Sequence, residues 1–537
     1  MPVTTPDLLA HRAHPLRAQG GFTMILALLV LLVTALLSMA IFVAVQGDAS
    51  LTRTDLSGKR AYAAAQAGVQ QYLYQLNANS TTSTWWETCA NDMTAGTGTA
   101  VAVPGSTYSE TYSYTPVLAN SAPSCSNANP VGTLIDSTTG TLRMKVTGHA
   151  GTSSKTIIAS LHTLSPLSFL WYSVHETVDI ALGDPSCIIF YWQGNGPPGD
   201  CQINWVTGDH MNGPLYTQDQ LLIYPGAAPT FGRTGSTDQT ISQQAASPSV
   251  CASGCQNAVF ANTPITNPTQ QVQFPSDNSN LLTDATAHGQ VYPGTTTLTL
   301  SVSGGKTYAN GWTCKSSSSC TQINNLDMTA SQIIYATNAS GCNSSYVPTN
   351  VSYPTVSGNP TGRYYGPCGD IYVTGTYATP VTIAAANNVI VTGTGVINST
   401  DTTPTGTGAL TGSATLGLVA NEYVRVMHSC GGNPSVTIDG AILTLDHSFF
   451  VDNYNCGGTP LGTLTVHGSI AQKYRGIVGS VGASGYLKNY NYDDRLGLIL
   501  PPYLFDLSNT QWSVFRETLC DQTGSASSAA SCLNPSS

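Results

Sequence analysis

Charged side chains are scarce in this chain. Asp, Glu, Lys and Arg make up only 9% of 537 residues, against roughly 25% in typical soluble proteins. Lys and Arg number 18 against 28 Asp and Glu, a formal net charge of −10, and no basic run occurs. A nucleic-acid surface needs clustered Lys and Arg, so nucleic-acid binding is not expected. The ten histidines are scattered, with no His-Glu-x-x-His pattern. No P-loop, no Gly-x-Ser-x-Gly elbow and no calcium-loop repeat is present. None of the 14 cysteines stands in a Cys-x-x-Cys pair, which argues against a structural zinc site. No metal, cofactor or catalytic residue is therefore assigned.

Ser, Thr, Asn, Gly and 26 Tyr residues fill the space left by charge, a mixture suited to β-strands and turns outside the cytoplasm. The cysteines are even in number and all follow residue 88. That pattern predicts disulfides and an oxidising compartment. Cys251 with Cys255 and Cys314 with Cys320 are spaced to close small loops, Cys430 and Cys456 are further candidates, and Cys520 with Cys532 would tie the tail. Connectivity does not follow from sequence.

Long apolar runs are absent except for one. Residues 22–45, FTMILALLVLLVTALLSMAIFVAV, contain no charged side chain. As a helix the run spans roughly 36 Å at about 1.5 Å per residue, enough to cross a hydrocarbon core of about 30 Å. It exceeds the apolar region of an ordinary signal peptide. Arg12 and Arg17 precede it and Asp48 follows, which predicts an N-terminus inside and the remainder outside.

Gly20-Gly21-Phe22-Thr23 stands directly before the run. This resembles the processing site of type IV prepilins and pseudopilins, whose short leader ends in Gly before a mature N-terminal Phe. The resemblance implies cleavage between Gly21 and Phe22 by a prepilin peptidase and methylation of the new N-terminus. It also implies assembly with other pilins or pseudopilins through the helix, on an inner-membrane assembly platform. Leu26 occupies the fifth mature position, where the family usually carries Glu, which favours a minor or tip role. Ala61, Ala65, Val69, Tyr72 and Leu76 then recur at helical spacing. The segment AYAAAQAGVQQYLYQL resembles PilX-like N-terminal regions, with Gln66 in place of the usual Glu. A plain signal-anchor with an amphipathic stalk is the alternative.

The expected organisation is a leader at 1–21, a membrane helix at 22–45, a helical stalk at 46–80 and a small pilin-like β domain at 81–165. A β-rich region with long loops follows at 166–365, with 260–290 irregular. At 366–515, Ile371-Val373-Gly375, Val389-Val391-Gly393, Val436-Ile438-Gly440 and Leu464-Val466-Gly468 share one form, and VTIDGAI nearly superposes on LTVHGSI. The recurrence predicts a parallel β-solenoid, with an antiparallel sandwich as the alternative. Residues 516–537 read as a disordered or disulfide-tied tail. Segments such as NGPLYTQDQLLI, AILTLDHSFFV and GSIAQKYRGIVG also resemble the exported part of some bacterial pilus-associated proteins, which implies location and architecture without chemistry.

Three functions compete. The first is a structural pilin-like subunit. The second is an adhesin whose Tyr-rich face binds surface carbohydrate by ring stacking. The third is an anchored polysaccharide-degrading enzyme with carboxylates on adjacent coils. For the third, Asp439, Asp446 and Asp452 with His447 are the candidates, and Arg475, Asp493, Asp494 and Arg495 form a second charged group. The simpler readings are strand-edge polar residues for the first set and an Arg–Asp ion pair for the second. Asp209-His210 reads as a turn rather than a metal pair.

Overall fold

The computed structural model describes residues 22–78, 85–94, 99–119, 121–127, 130–135, 141–182, 184–243, 249–268, 271–343, 346, 348–349, 351–355, 363–401, 410–430, 435–456, 461–480, 484–497, 499–504 and 511–520. One apolar N-terminal helix leads into a mostly β region.

The helix runs Phe22–Ala78, 57 residues, or roughly 86 Å at about 1.5 Å per residue. Met24–Val43 has a mean hydropathy of 2.9 and none of it is buried. The second half behaves differently. Ala61, Ala64, Ala65, Val69, Tyr72 and Leu76 are buried. They lie three or four residues apart, so they form one face, and that face covers a sheet.

The sheet is antiparallel and five-stranded. Its strands are Val101–Ala102, Thr111–Pro116, Leu142–Ala150, Ser153–Leu164 and Gln511–Cys520, in that spatial order. Val146, Met144, Leu142, Ile157, Ala159 and Leu161 face the helix, together with Trp86 and Trp512. Small residues let the layers approach closely. A Cβ added to Gly148 would stand 2.1 Å from the Ala61 carbonyl oxygen and 2.3 Å from the Ala65 nitrogen. Tyr72 donates from its hydroxyl to Asp92 at 2.5 Å in the buried interior.

The last strand corrects a sequence expectation. Residues 516–537 read as a disordered or disulfide-tied tail, and Cys520 is disulfide-bonded, but 516–520 belong to a strand. The chain stays extended to Cys520, pairing antiparallel with Ser153–Leu164. Trp512 anchors it against Trp86, and the Asn77 side chain brackets Trp512 by bonds to its N–H and C=O. Residues 165–510 are thus inserted between two neighbouring strands of one sheet.

The inserted region is built on a large mixed sheet. Its pairings are parallel except between Thr295–Ser303, Lys306–Ser316 and Ser319–Asp327, which form antiparallel hairpins. One parallel ladder runs through Gln290–Pro293, Ile333–Thr337, Val381–Ala385, Leu416–Ala420, Val436–Thr444 and Thr463–Gln472. It then continues through Trp171–Ser173, Leu215–Thr217, Thr240–Ser242 and Ile265–Thr266. Spatial order therefore departs from chain order. The insertion starts mid-ladder, runs to one end, returns to the other end and winds back.

Residues 271–278 make that return. Val272 accepts from the Tyr172 hydroxyl, Phe274 stacks on Tyr172, and Asn278 donates to the Ala385 carbonyl. The helix Ser279–His288 follows, where the sequence suggested irregular chain. The apolar side of that helix, Leu281 and Ala285, is too short a stripe to stand out. The expected regular solenoid at 366–515 is not what the sheet displays. It is mixed and curled, its rungs are unevenly spaced along the chain, and strands from both 166–365 and 366–515 share one core. The near-repeat does have a structural counterpart: Val436–Ile442 lies in register beside Leu464–Ile470.

Candidate functional site

Gly20 and Gly21 lie outside the described residues, and Phe22 is the first residue of the long helix. Cys251 is bonded to Cys255, Cys314 to Cys320 and Cys430 to Cys456. Cys89–Cys125, Cys187–Cys201 and Cys342–Cys368 are further bridges. Cys520 is also disulfide-bonded, and Cys532 lies outside the described residues.

The acidic candidates are not gathered into one site. Asp446 pairs with Lys473 at 3.2 Å, both partly exposed. Asp452 is buried and fully engaged. It meets the Arg425 guanidinium at 3.2 Å and accepts from Tyr346 at 2.5 Å and Tyr353 at 2.8 Å. His447 sits between Asp179 at 2.9 Å and Glu422 at 3.1 Å. Burial opposes its charge, but hydrogen bonds and attraction from both carboxylates outweigh burial and lift the imidazole to about 9. Ser448 donates to Asp179 as well. This cluster ties the segment around Asp179 to Glu422 and to the turn before Phe449–Val451.

The second charged group also divides. Arg475 is buried, donates to the Ile203 carbonyl and lies 3.8 Å over the Trp205 ring. Arg495 pairs with Asp493 at 2.7 Å, and Asp494 pairs with Arg233 at 2.7 Å. Asp209 binds Lys488 at 2.9 Å while His210 turns to Thr230, so those neighbours hold no common ligand.

Among the described residues, two further places bring polar groups together without mutual saturation. The first is a cavity of about 410 Å³. Tyr346, Tyr365 and Tyr372 line it together with Asp370, Asn388 and Arg425. Asp370 Oδ1 accepts from both Asn387 and Asn388 side chains, at 2.6 and 2.8 Å, so the amides are fixed in place. Arg425 Nε is buried there without a hydrogen-bond partner. Aromatic faces beside fixed amides, a carboxylate and a guanidinium suit a polyhydroxylated ligand.

The second is the group Asp401, Asp439 and His467, whose donor atoms all lie within 4.8 Å of one another. Parallel pairing sets Asp439 directly beside His467. Asp439 Oδ2 accepts from the Asn398 N–H at 2.8 Å. Its Oδ1 is buried without a hydrogen-bond partner, as is His467 Nδ1. Burial drives the Asp439 carboxyl up to about 7, with Asp401 and Asp493 adding to the rise. Burial pushes the His467 imidazole down.

Among solved structures, a pilin aligns loosely with the chain. The crystal structure of the competence-associated pilin ComZ from Thermus thermophilus aligns over 86% of this chain and 98% of that one, at 9% identity and a TM-score of 0.26. No protein-family model matches the sequence, and no curated protein does.

Sequence reasoning found Asp439 but set it beside Asp446 and Asp452, its neighbours along the chain. It missed His467 and Asp401. The signal for His467 was present: laying VTIDGAI on LTVHGSI puts Asp over His. Asp401 had no such signal, since it enters from the turn after Val389–Asn398.

Proposed function

We propose that this protein is a pilin-like subunit that joins other pilins through its apolar helix and carries a large β domain outside the cytoplasmic membrane. One observation carries the reading. Within a single 57-residue helix, the apolar stretch Met24–Val43 is uncovered, while the face from Ala61 to Leu76 is sealed against an antiparallel sheet. An apolar face of that length in water is unfavourable, and either a bilayer or neighbouring helices must cover it.

The finer reading is a minor or tip subunit, cut between Gly21 and Phe22 by prepilin peptidase and acting by assembly and contact rather than by turnover. Leu26 in place of an acid and the size of the insertion favour low copy number. The test is the mass of the chain recovered from membranes of cells with an active peptidase. The reading requires a mature chain starting at Phe22. A chain starting at Met1, or one released without its helix, overturns it.

The cavity beside Asp370 and Arg425 favours a second role, attachment to surface carbohydrate. Tyr365→Ala should then reduce attachment to a glycan surface while filaments still assemble. Unchanged attachment removes this role and leaves the first intact.

A further inference from the structure

We propose that Asp401, Asp439 and His467 form a binding site for a divalent transition-metal cation, of the Zn²⁺ or Mn²⁺ kind. Three strands converge to build it. Asp439 and His467 are side-by-side rungs of the ladder, about 4.8 Å apart by sheet geometry. Asp401 follows the neighbouring strand Val389–Asn398, which pairs with Val436–Thr444 through Gly395 and Val396. One ligand atom from each residue falls within a 4.8 Å span, which is the scale a bound ion with bonds of about 2.0–2.2 Å requires.

The cluster is more than a coincidence of acids. Asp439 and His467 are nine-tenths or more buried, and each keeps one side-chain atom with no hydrogen-bond partner. Leaving such atoms unpaired is costly, most of all for a carboxylate. A cation removes that cost at both atoms together. The nearest guanidinium does not. Arg495 spends Nε and Nη2 on Asp493 and Nη1 on the carbonyls of Thr411, Gly412 and Ala414. Arg233 is likewise held between Asp238 and Asp494. Asp238, Asp401, Asp439, Asp493 and Asp494 thus face two guanidiniums, so the locality has negative charge to spare for a dication.

The remaining requirements of a metal site are met. The bond from the Asn398 N–H to Asp439 Oδ2 orients the carboxylate and leaves Oδ1 for the ion. Asp401 is only half-buried and provides the entry path. An imidazole among two carboxylates selects against Ca²⁺ and Mg²⁺, which take oxygen ligands. Three protein ligands leave positions for water or for a group on a partner.

The test uses the untagged full-length protein in detergent, stripped with EDTA and titrated calorimetrically with ZnCl₂, MnCl₂ or CaCl₂. The expected result is one site per chain for Zn²⁺ or Mn²⁺, no matching site for Ca²⁺, and a raised melting temperature with metal. Asp439→Asn and His467→Asn should each weaken binding at least tenfold and abolish the melting shift. Asp401→Asn lies at the half-buried mouth and tests the site even where a buried variant fails to fold. Absence of a one-to-one site in the wild type overturns the proposal, and so does unchanged affinity in folded Asp401→Asn.

Discussion

Replacing Gly148 by alanine tests the helix-to-sheet contact where it is tightest. The new methyl carbon would lie 2.1 Å from the Ala61 carbonyl oxygen. Ordinary C···O contacts are about 3.3 Å or more, so the helix must retreat by about 1 Å. The obstacle is backbone, and no rotamer change relieves it. A gap of that size forfeits roughly a quarter to a half of each dispersion contact along the face, including those of Val69, Tyr72 and Leu76. Overpacking of this kind costs about 1–3 kcal/mol, and a backbone obstacle belongs at the upper end. For a domain of this size about 3 kcal/mol corresponds to a melting shift of roughly 10 °C. Hydrogen exchange read by mass spectrometry over 142–164 should show the loss locally, with 381–472 unchanged. Trimming Ala65 to glycine should not rescue the variant, because Ala61 contributes its carbonyl oxygen. A melting temperature within about 2 °C of the wild type would refute the packing argument.

Other predictions concern buried charge and covalent ties. Burial raises the Asp92 carboxyl to about 7, against the opposing bond from Tyr72. A raised folded-state value means that the stabilising term is complete below about pH 4 and is lost as pH rises through 7, on the order of 4 kcal/mol in all. Melting of the helix-backed five-stranded sheet should therefore fall between about pH 4 and 7 and level off above, and Asp92→Asn should flatten that slope. Asp452→Asn leaves Arg425 buried without its counter-charge and should destabilise the inserted domain by about 3–5 kcal/mol in urea melts. Replacing Cys342 and Cys368 together by serine should cost about 3–4 kcal/mol from the entropy of the loop they close, with the bridge itself located by non-reducing peptide mapping.

Where the sequence was legible, the signal was local. Ala61, Ala65, Val69, Tyr72 and Leu76 repeat at the helical period, and the structure buries all five. The contrast between an uncovered Met24–Val43 and a covered face from Ala61 to Leu76 follows from the uncharged run and the small residues after it. The near-repeat VTIDGAI and LTVHGSI held the register that sets Asp439 beside His467, but His467 itself was not picked out. What remained hidden depends on contacts far apart in the chain. Trp171 pairs beside Ile470, and nothing in either segment announces the other. Gln511–Cys520 carries the charges Arg516 and Glu517 and resembles tail, since its partner strand lies more than three hundred residues earlier. The acidic candidates were grouped by chain proximity, whereas the ladder sends Asp439, Asp446 and Asp452 to three separate surroundings.

The place of the insertion has a consequence for biogenesis. Leu164 and Gln511 are cross-strand partners, so the five-stranded sheet gains its final member only after everything between them has been synthesised. Closing a loop of flexible chain that long carries a heavy entropic cost, and a folded insert with adjoining ends removes most of it. The stalk's support is thereby made conditional on its cargo. A chain that stalls or misfolds midway presents an open sheet edge to the cell's quality control instead of a finished protomer.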